Sequence, residues 1–326
     1  MREGKLFVLV IGTTDVSLVP GITLAGATPE LTHFTPAADA EYLLTGETRS
    51  LRGVPITPSG LPTPALISRA SLSLLKLPTL IANAGSRIAP RIPYVELGGS
   101  HGRDIRRGAM ETGTMEILLK RGKELGSSLS SVEEIIIGES IPGGTTTAMA
   151  TLLGLGYDAL GKVSSTAPNN PMELKEKLVL DAVKTAPKAI ESRIAWLADP
   201  VLIAVAGISI GFLGRKVLAG GTQMLAAAAL IKNFAGTLEK VEVRTTKWVV
   251  EDHTADFQGL ATQVGVKTSY ASLNLSKSRF PGLRAYEEGY VKEGVGAGAL
   301  SLEAISAHGE ETLLKAIDRE YERLLH

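Results

Sequence analysis

A chain of 326 residues, 44 % of them hydrophobic, can bury a sizeable core in one large domain or one large and one small. Lys plus Arg and Asp plus Glu each total 34, so no net charge draws the chain to nucleic acid or an anionic membrane. The absence of cysteine excludes disulfides, thiolate metal sites and cysteine nucleophiles, and fits the reducing cytoplasm. Only eight residues are Asn or Gln, a scarcity that fits a heat-adapted source as well as drift in composition.

The first apolar run, Leu6–Ile11, is too short for a secretion signal, and Asp15 follows where a small-residue cleavage site would stand; it reads as a buried strand. Residues Thr13–Pro64 are rich in Pro, Gly and Thr and weakly periodic. They predict loops and short helices with a linker-like end at Gly53–Pro64. Further strands are expected at Thr79–Ala82, Glu134–Ile137, Val217–Ala219 and Val241–Thr245. All but the last are, like Leu6–Ile11, apolar runs without alternation, as in strands covered on both faces. Helical spacing marks Thr114–Leu125, Thr147–Leu155, Met172–Val183 and Glu310–Leu325. The most apolar stretches, Val201–Leu213 and Val217–Ile231, are separated by Gly214, Arg215 and Lys216. Neither reaches the ~20 residues that span a bilayer, so both are expected in the core. Strands alternating with helices predict an α/β fold: a mainly parallel, Rossmann-like sheet with helices on both faces. The C-terminal helix is expected to join N-terminal segments in a smaller helical subdomain.

Four places carry residues suited to chemistry. Gly138–Thr147, reading GESIPGGTTT, follows a strand and enters a helix. Such a turn leaves backbone N–H groups free beside the positive end of the helix dipole, which favours a phosphate; a plain strand-to-helix turn reads equally well. It is no Walker motif, since no Lys follows the glycines. Gly220-Gly221 repeats the strand–Gly–helix order, either as a second wall of the same crevice or as a packing feature. Glu293 stands before the small-residue run Gly294–Ala299, as a general base or as a solvated residue at a helix start. Gly161-Lys162 and the pair Lys175 and Lys177 offer point charges for a phosphate, or plain surface lysines. The histidines His33, His101, His253, His308 and His326 show no HxH or HExxH spacing, so no metal site is expected. No GxSxG elbow is present. Asp252–Asp256 reads as a solvated loop.

In order along the chain, these segments resemble the nicotinate-nucleotide:dimethylbenzimidazole phosphoribosyltransferase family of cobamide synthesis, most closely its archaeal and cyanobacterial-type branch. GESIPGGTTTAMATLLGLG is similar to the family's phosphate segment. LGKV with LKEKLVLDAV resembles its Gly turn and lysine-bearing helix, and ISIGFLGRKVLAGGTQMLAAAALI its helix–strand–Gly–helix block. VKEGVGAGALSL is similar to the segment that holds its catalytic glutamate. The chain departs from the family at Gly220-Gly221, where Asp-Gly is usual, at Asn83-Ala84-Gly85 in place of Asp-His-Gly, and at Val295 in place of Thr.

The resemblance implies an α/β nucleotide-binding core over 76–300, with 1–75 contributing to a small subdomain and 301–326 packing against it. It implies a cytoplasmic glycosyltransferase that takes nicotinate mononucleotide and an azole base, works without a cofactor or metal, and forms a homodimer; nucleic acid and membrane are not among its partners. Glu293 is the implied catalytic base. Glu139, Gly143, Gly144, Thr145, Thr146, Gly161, Lys177, Gly220 and Gly221 are the implied nucleotide contacts, and Gly85, Ser86 and Gly294 the candidates for the base pocket. A nucleotide-binding protein without transfer activity and a nucleoside-phosphate hydrolase are the alternatives.

Overall fold

Apolar strands with partners on both sides build the centre of the molecule. The computed structural model describes residues 4–26, 28, 30–51 and 61–325. Seven parallel strands form one sheet: β1 (Lys5–Gly12), β2 (Thr79–Gly85), β3 (Val95–Glu96), β4 (Glu134–Ser140), β5 (Arg215–Ala219), β6 (Val241–Thr246) and β7 (Lys267–Ala271). Their order is β3-β2-β1-β4-β5-β6-β7. The five strands expected from the sequence are all present. The two unexpected ones lie at the edges: β3 is two residues long, and β7 (KTSYA) buries only Ala271, so neither carries an apolar signature.

Alternation along β1 divides the core. Val8 and Val10 face one side; Phe7, Leu9 and Ile11 face the other. The helices are α1 (Thr35–Thr45), α2 (Ala65–Leu75), α3 (Thr114–Ser128), α4 (Gly144–Gly154), α5 (Met172–Thr185), α6 (Ile190–Leu197), α7 (Pro200–Gly211), α8 (Thr222–Ala235), α9 (Lys247–Val250), α10 (Phe257–Val264), α11 (Pro281–Arg284), α12 (Ala297–His308) and α13 (Glu310–Leu325). The Val8 face is covered by α3 to α8 and α10, and the Phe7 face by α1, α2, α12 and α13. The apolar stretch around residues 201–213 is α7, buried against the sheet. No described helix is long and apolar enough to cross a membrane.

The first 75 residues therefore divide their roles. Their strand β1 is central in the sheet, while α1 and α2 pack with the C-terminal helices. Arg69 of α2 pairs with Glu320 of α13 at 2.7 Å, and Tyr42 of α1 donates to the same carboxylate at 2.9 Å. The linker expected at Gly53–Pro64 lies mostly outside the described residues.

Strand order also locates the crevice. Connections run outward from β1 towards β3 on one side and from β4 towards β7 on the other. In an open parallel sheet, ligands bind beyond the carboxyl ends of the strands at such a reversal.

Candidate active site

The cleft opens where that rule places it, beyond the ends of β1 and β4. Glu139, Ser140 and the turn Ile141–Thr145 form one wall; Val291 and Glu293–Val295 form another. Ile22–Gly26, Thr35, Asp39, Thr63, Pro64, Ser165, Thr166 and Gln223 complete the lining.

The turn from β4 to α4 is shaped by Gly143, whose φ of 82° lies in the left-handed region. Gly144 N–H donates to Ile141 O at 3.1 Å and Thr146 N–H to Gly143 O at 3.0 Å. Among the described residues, the N–H groups of Gly143 and Thr145 have no protein partner. Two backbone donors at the N-terminus of an eleven-residue helix are thus free beside the cleft, an arrangement suited to an anion.

Glu293 is held by α12. Its Oε1 accepts from Gly294 N–H at 3.0 Å and Gly298 N–H at 3.1 Å, and its Oε2 accepts from Thr245 Oγ1 at 3.3 Å. These bonds and the helix dipole favour the carboxylate, but burial outweighs them and pushes its pKa up to about 7. Glu139, 4 % exposed, is pushed further, to about 8, by burial and then by the neighbouring charge of Glu293. Burial lifts Asp39 to about 6, although Thr63 Oγ1 and Ser140 Oγ donate to it at 2.7 and 2.8 Å. Three acids in one cleft that titrate between about 6 and 8 can hold or take protons near neutral pH.

No protein-family model matches the chain. Curated relatives do. The UPF0284 protein of Saccharolobus solfataricus is 55 % identical over 328 residues, covering 100 % of this chain and 94 % of that protein. The UPF0284 protein of Metallosphaera sedula is 54 % identical over 322 residues, covering 98 % and 94 %. This chain belongs to the UPF0284 family. Among solved structures, it is similar to the nicotinate-nucleotide-dimethylbenzimidazole phosphoribosyltransferase of Thermus thermophilus, with a TM-score of 0.63 and 14 % identity over 98 % of this chain and 84 % of that one. A second structure, CobT from Thermus thermophilus, gives 0.61 and 16 % with the same coverage. At such identities the likeness is one of fold.

Within this UPF0284 chain, the structure brings together Glu139, Gly143, Gly144, Thr145, Glu293 and Gly294. Other expected residues lie elsewhere. Thr146 is fully buried in α4 and does not line the cleft. Gly161 sits in an exposed left-handed turn, φ 71°. Gly220 and Gly221 are buried beside the site: a Cβ on Gly220 would lie 3.7 Å from Glu139 Oε1. Gly85 and Ser86 are absent from the lining. Gly85 is pressed against Ser100, and Ser86 N–H donates to Asn83 Oδ1 at 2.9 Å, so both shape the turn after β2.

The lysine expected at a phosphate, Lys177, also lies elsewhere. Lys177 is exposed, whereas Lys175 is fully buried and donates to Ser164 O at 2.7 Å. Residues two positions apart on a helix point about 200° apart, and Leu178, Val179 and Ala182 put the buried face on the side of Lys175. Burial, followed by the charge of Lys292, lowers its pKa to about 7. Asp252 is likewise no part of a solvated loop, since its carboxylate pairs with Lys292 in the interior. Glu293 is a partly buried helix cap rather than a solvated residue. Sequence reasoning missed Asp39, Thr63, Ser165 and Thr166, while Ser140 and Gln223 lie within the two Gly motifs without being singled out in them. Asp39 alone left a trace, as a single acid inside the small apolar run Pro36–Ala40.

Proposed function

We propose that this chain is a phosphoribosyltransferase that moves ribose 5-phosphate from nicotinate mononucleotide to a benzimidazole-like base, the activation of a lower ligand in cobamide synthesis. The observation that carries the reading is that Glu293, a carboxylate titrating at about 7, shares one cleft with the open N-terminus of α4. The fold shared with two phosphoribosyltransferase structures supports it.

The phosphate sits against the N–H groups of Gly143 and Thr145. Glu139 is mostly protonated at neutral pH and offers an O–H to the ribose. The acceptor lies towards Glu293 and Gly294. A ring nitrogen of the azole attacks ribosyl C1 as the C1–pyridinium bond breaks; the electron pair returns to the pyridine nitrogen, so nicotinate leaves without a proton donor and C1 inverts. The azole N–H proton passes to Glu293, assistance typically worth ~10²–10⁴-fold. Holding both reactants in one cleft contributes further acceleration.

Incubation with nicotinate mononucleotide, with and without benzimidazole, 5,6-dimethylbenzimidazole or adenine, tests the reading. Nicotinate release that requires the base, with a ribosylated base as product, is expected. Release without any base makes the protein a hydrolase, and binding without release makes it a nucleotide-binding protein; either result overturns transfer.

A further inference from the structure

Behind the cleft lies a buried charge cluster that the proposed chemistry does not use. Lys292 and Asp252 pair at 2.8 Å, and both side chains are 3 % exposed. Lys292 Nζ also donates to Ser165 O at 3.0 Å and Ala167 O at 3.1 Å. Asp252 Oδ2 accepts from Ser164 Oγ at 2.9 Å, and Lys175 Nζ donates to Ser164 O at 2.7 Å. The segment 164–167 is therefore gripped from behind, while Ser165 and Thr166 face the cleft.

Lys292 also sits in unusual backbone. Its N–H donates to Tyr290 O at 2.7 Å, and Glu293 N–H donates to Val291 O at 2.8 Å. These are two successive three-residue turns centred on Val291, φ 64°, and Lys292, φ 59°. A γ-turn with positive φ is rare and strained, and a β-branched residue there is an outlier. Such backbone persists only where its surroundings over-determine it. Here Val291 N–H donates to Thr166 O at 2.8 Å, Thr246 Oγ1 donates to Lys292 O at 2.7 Å, and the Lys292 ammonium reaches across to the carbonyls of 164–167. The double turn ends at Glu293.

We propose that Lys292 is a positioning residue: it ties the 164–167 segment to the double turn and so fixes the Glu293 carboxylate relative to the nucleotide side of the cleft. Its catalytic consequence rests on the transfer reading; its structural consequence does not. Charge balance alone would need only Asp252. The two further bonds to carbonyls of a cleft-lining segment are what couple that segment to the wall that carries Glu293.

The test compares wild type, Lys292→Met and the double variant Lys292→Met/Asp252→Asn. Nicotinate release, the KM for nicotinate mononucleotide, the unfolding midpoint and hydrogen–deuterium exchange over 164–167 and 291–296 are measured. Lys292→Met is expected to lower kcat by roughly 10²-fold, as a small misplacement of a reacting group does, with KM changed by less than about threefold. Both segments should exchange faster together. The single variant leaves Asp252 buried and unpaired, which destabilises the fold. The double variant removes both charges, so it should regain the unfolding midpoint while kcat stays low. A double variant with full kcat, or unchanged exchange in both segments, overturns the proposal. If wild type itself releases no nicotinate, the transfer reading falls and exchange alone decides: coupled acceleration sustains the positioning role, and unaltered exchange ends it.

Discussion

The turn Gly143–Thr145 and the segment Val291–Gly296 face the same cleft and are built in opposite ways. The first needs one left-handed glycine, then runs into a regular helix whose geometry leaves N–H groups free. The second holds positive φ at Val291, Lys292, Gly294, Val295 and Gly296. Left-handed backbone costs a non-glycine residue about 1–2 kcal/mol, so three such residues exist here only because tertiary contacts hold them. The first wall presents generic backbone donors at little cost. The second presents one particular carboxylate and depends on the rest of the fold to hold it. Substitutions should therefore separate binding from turnover according to the wall they touch.

The largest effect is expected at the costly wall. Glu293→Gln keeps shape and hydrogen bonding but removes basicity, so kcat should fall by roughly 10²–10⁴-fold with nucleotide affinity little changed. The base must be ionised to accept a proton, so the wild-type rate should show a limb that rises with pH through about 7, before loss of the Glu139 O–H above about 8 lowers it again. The variant should lose that limb. Steady-state rates across pH, with calorimetry for affinity, check this. A collapse in nucleotide affinity would place Glu293 on the nucleotide side and break the contrast between the walls.

The two walls also differ in how far the sequence revealed them. The strands β1, β2, β4, β5 and β6 and the β4–α4 turn follow from local pattern, because buried strands and a glycine before a helix have compositional signatures. Lys175 and Lys177 both fit a lysine-bearing helix; which one turns inward depends on the face that Leu178 and Val179 bury. Asp39, Thr63, Ser165 and Thr166 reach the cleft through tertiary packing of segments far apart in the chain. The buried Asp252–Lys292 pair joins residues forty positions apart, and nothing local in Asp252–Asp256 distinguishes it from a solvated loop.

An intermediate effect is expected at Gly143→Ala. The residue has φ 82°, and a Cβ would lie 3.0 Å from Ser17 N. The left-handed conformation should cost about 1–2 kcal/mol of stability. A shifted turn would also misaim the N–H groups of Gly143 and Thr145, so nucleotide affinity should fall by roughly tenfold, about 1.4 kcal/mol. Chemical denaturation and calorimetry measure the two effects separately. Unchanged affinity in a folded variant would mean that this turn holds no phosphate.

The smallest effect sharpens the comparison, because it concerns a turn with nearly the same letters. Gly220-Gly221 also joins a strand to a helix, yet neither residue lines the cleft. Gly220 does not have positive φ, so alanine fits its backbone, and the added Cβ would meet Met224 Cγ at 2.8 Å. That side chain must shift, a small overpacking cost of about 1 kcal/mol. The next contact is Glu139 Oε1 at 3.7 Å, an ordinary van der Waals distance, so the carboxyl keeps its place. Gly220→Ala is therefore expected to lower the unfolding midpoint slightly and leave both nucleotide affinity and kcat within about twofold of wild type. What separates the two turns is the neighbour each one meets: Gly143 borders the cleft, whereas Gly220 packs beneath Glu139. If Gly220→Ala lost affinity as Gly143→Ala does, the second turn would belong to the nucleotide site as well, and the phosphate would have to lie deeper, between α4 and α8.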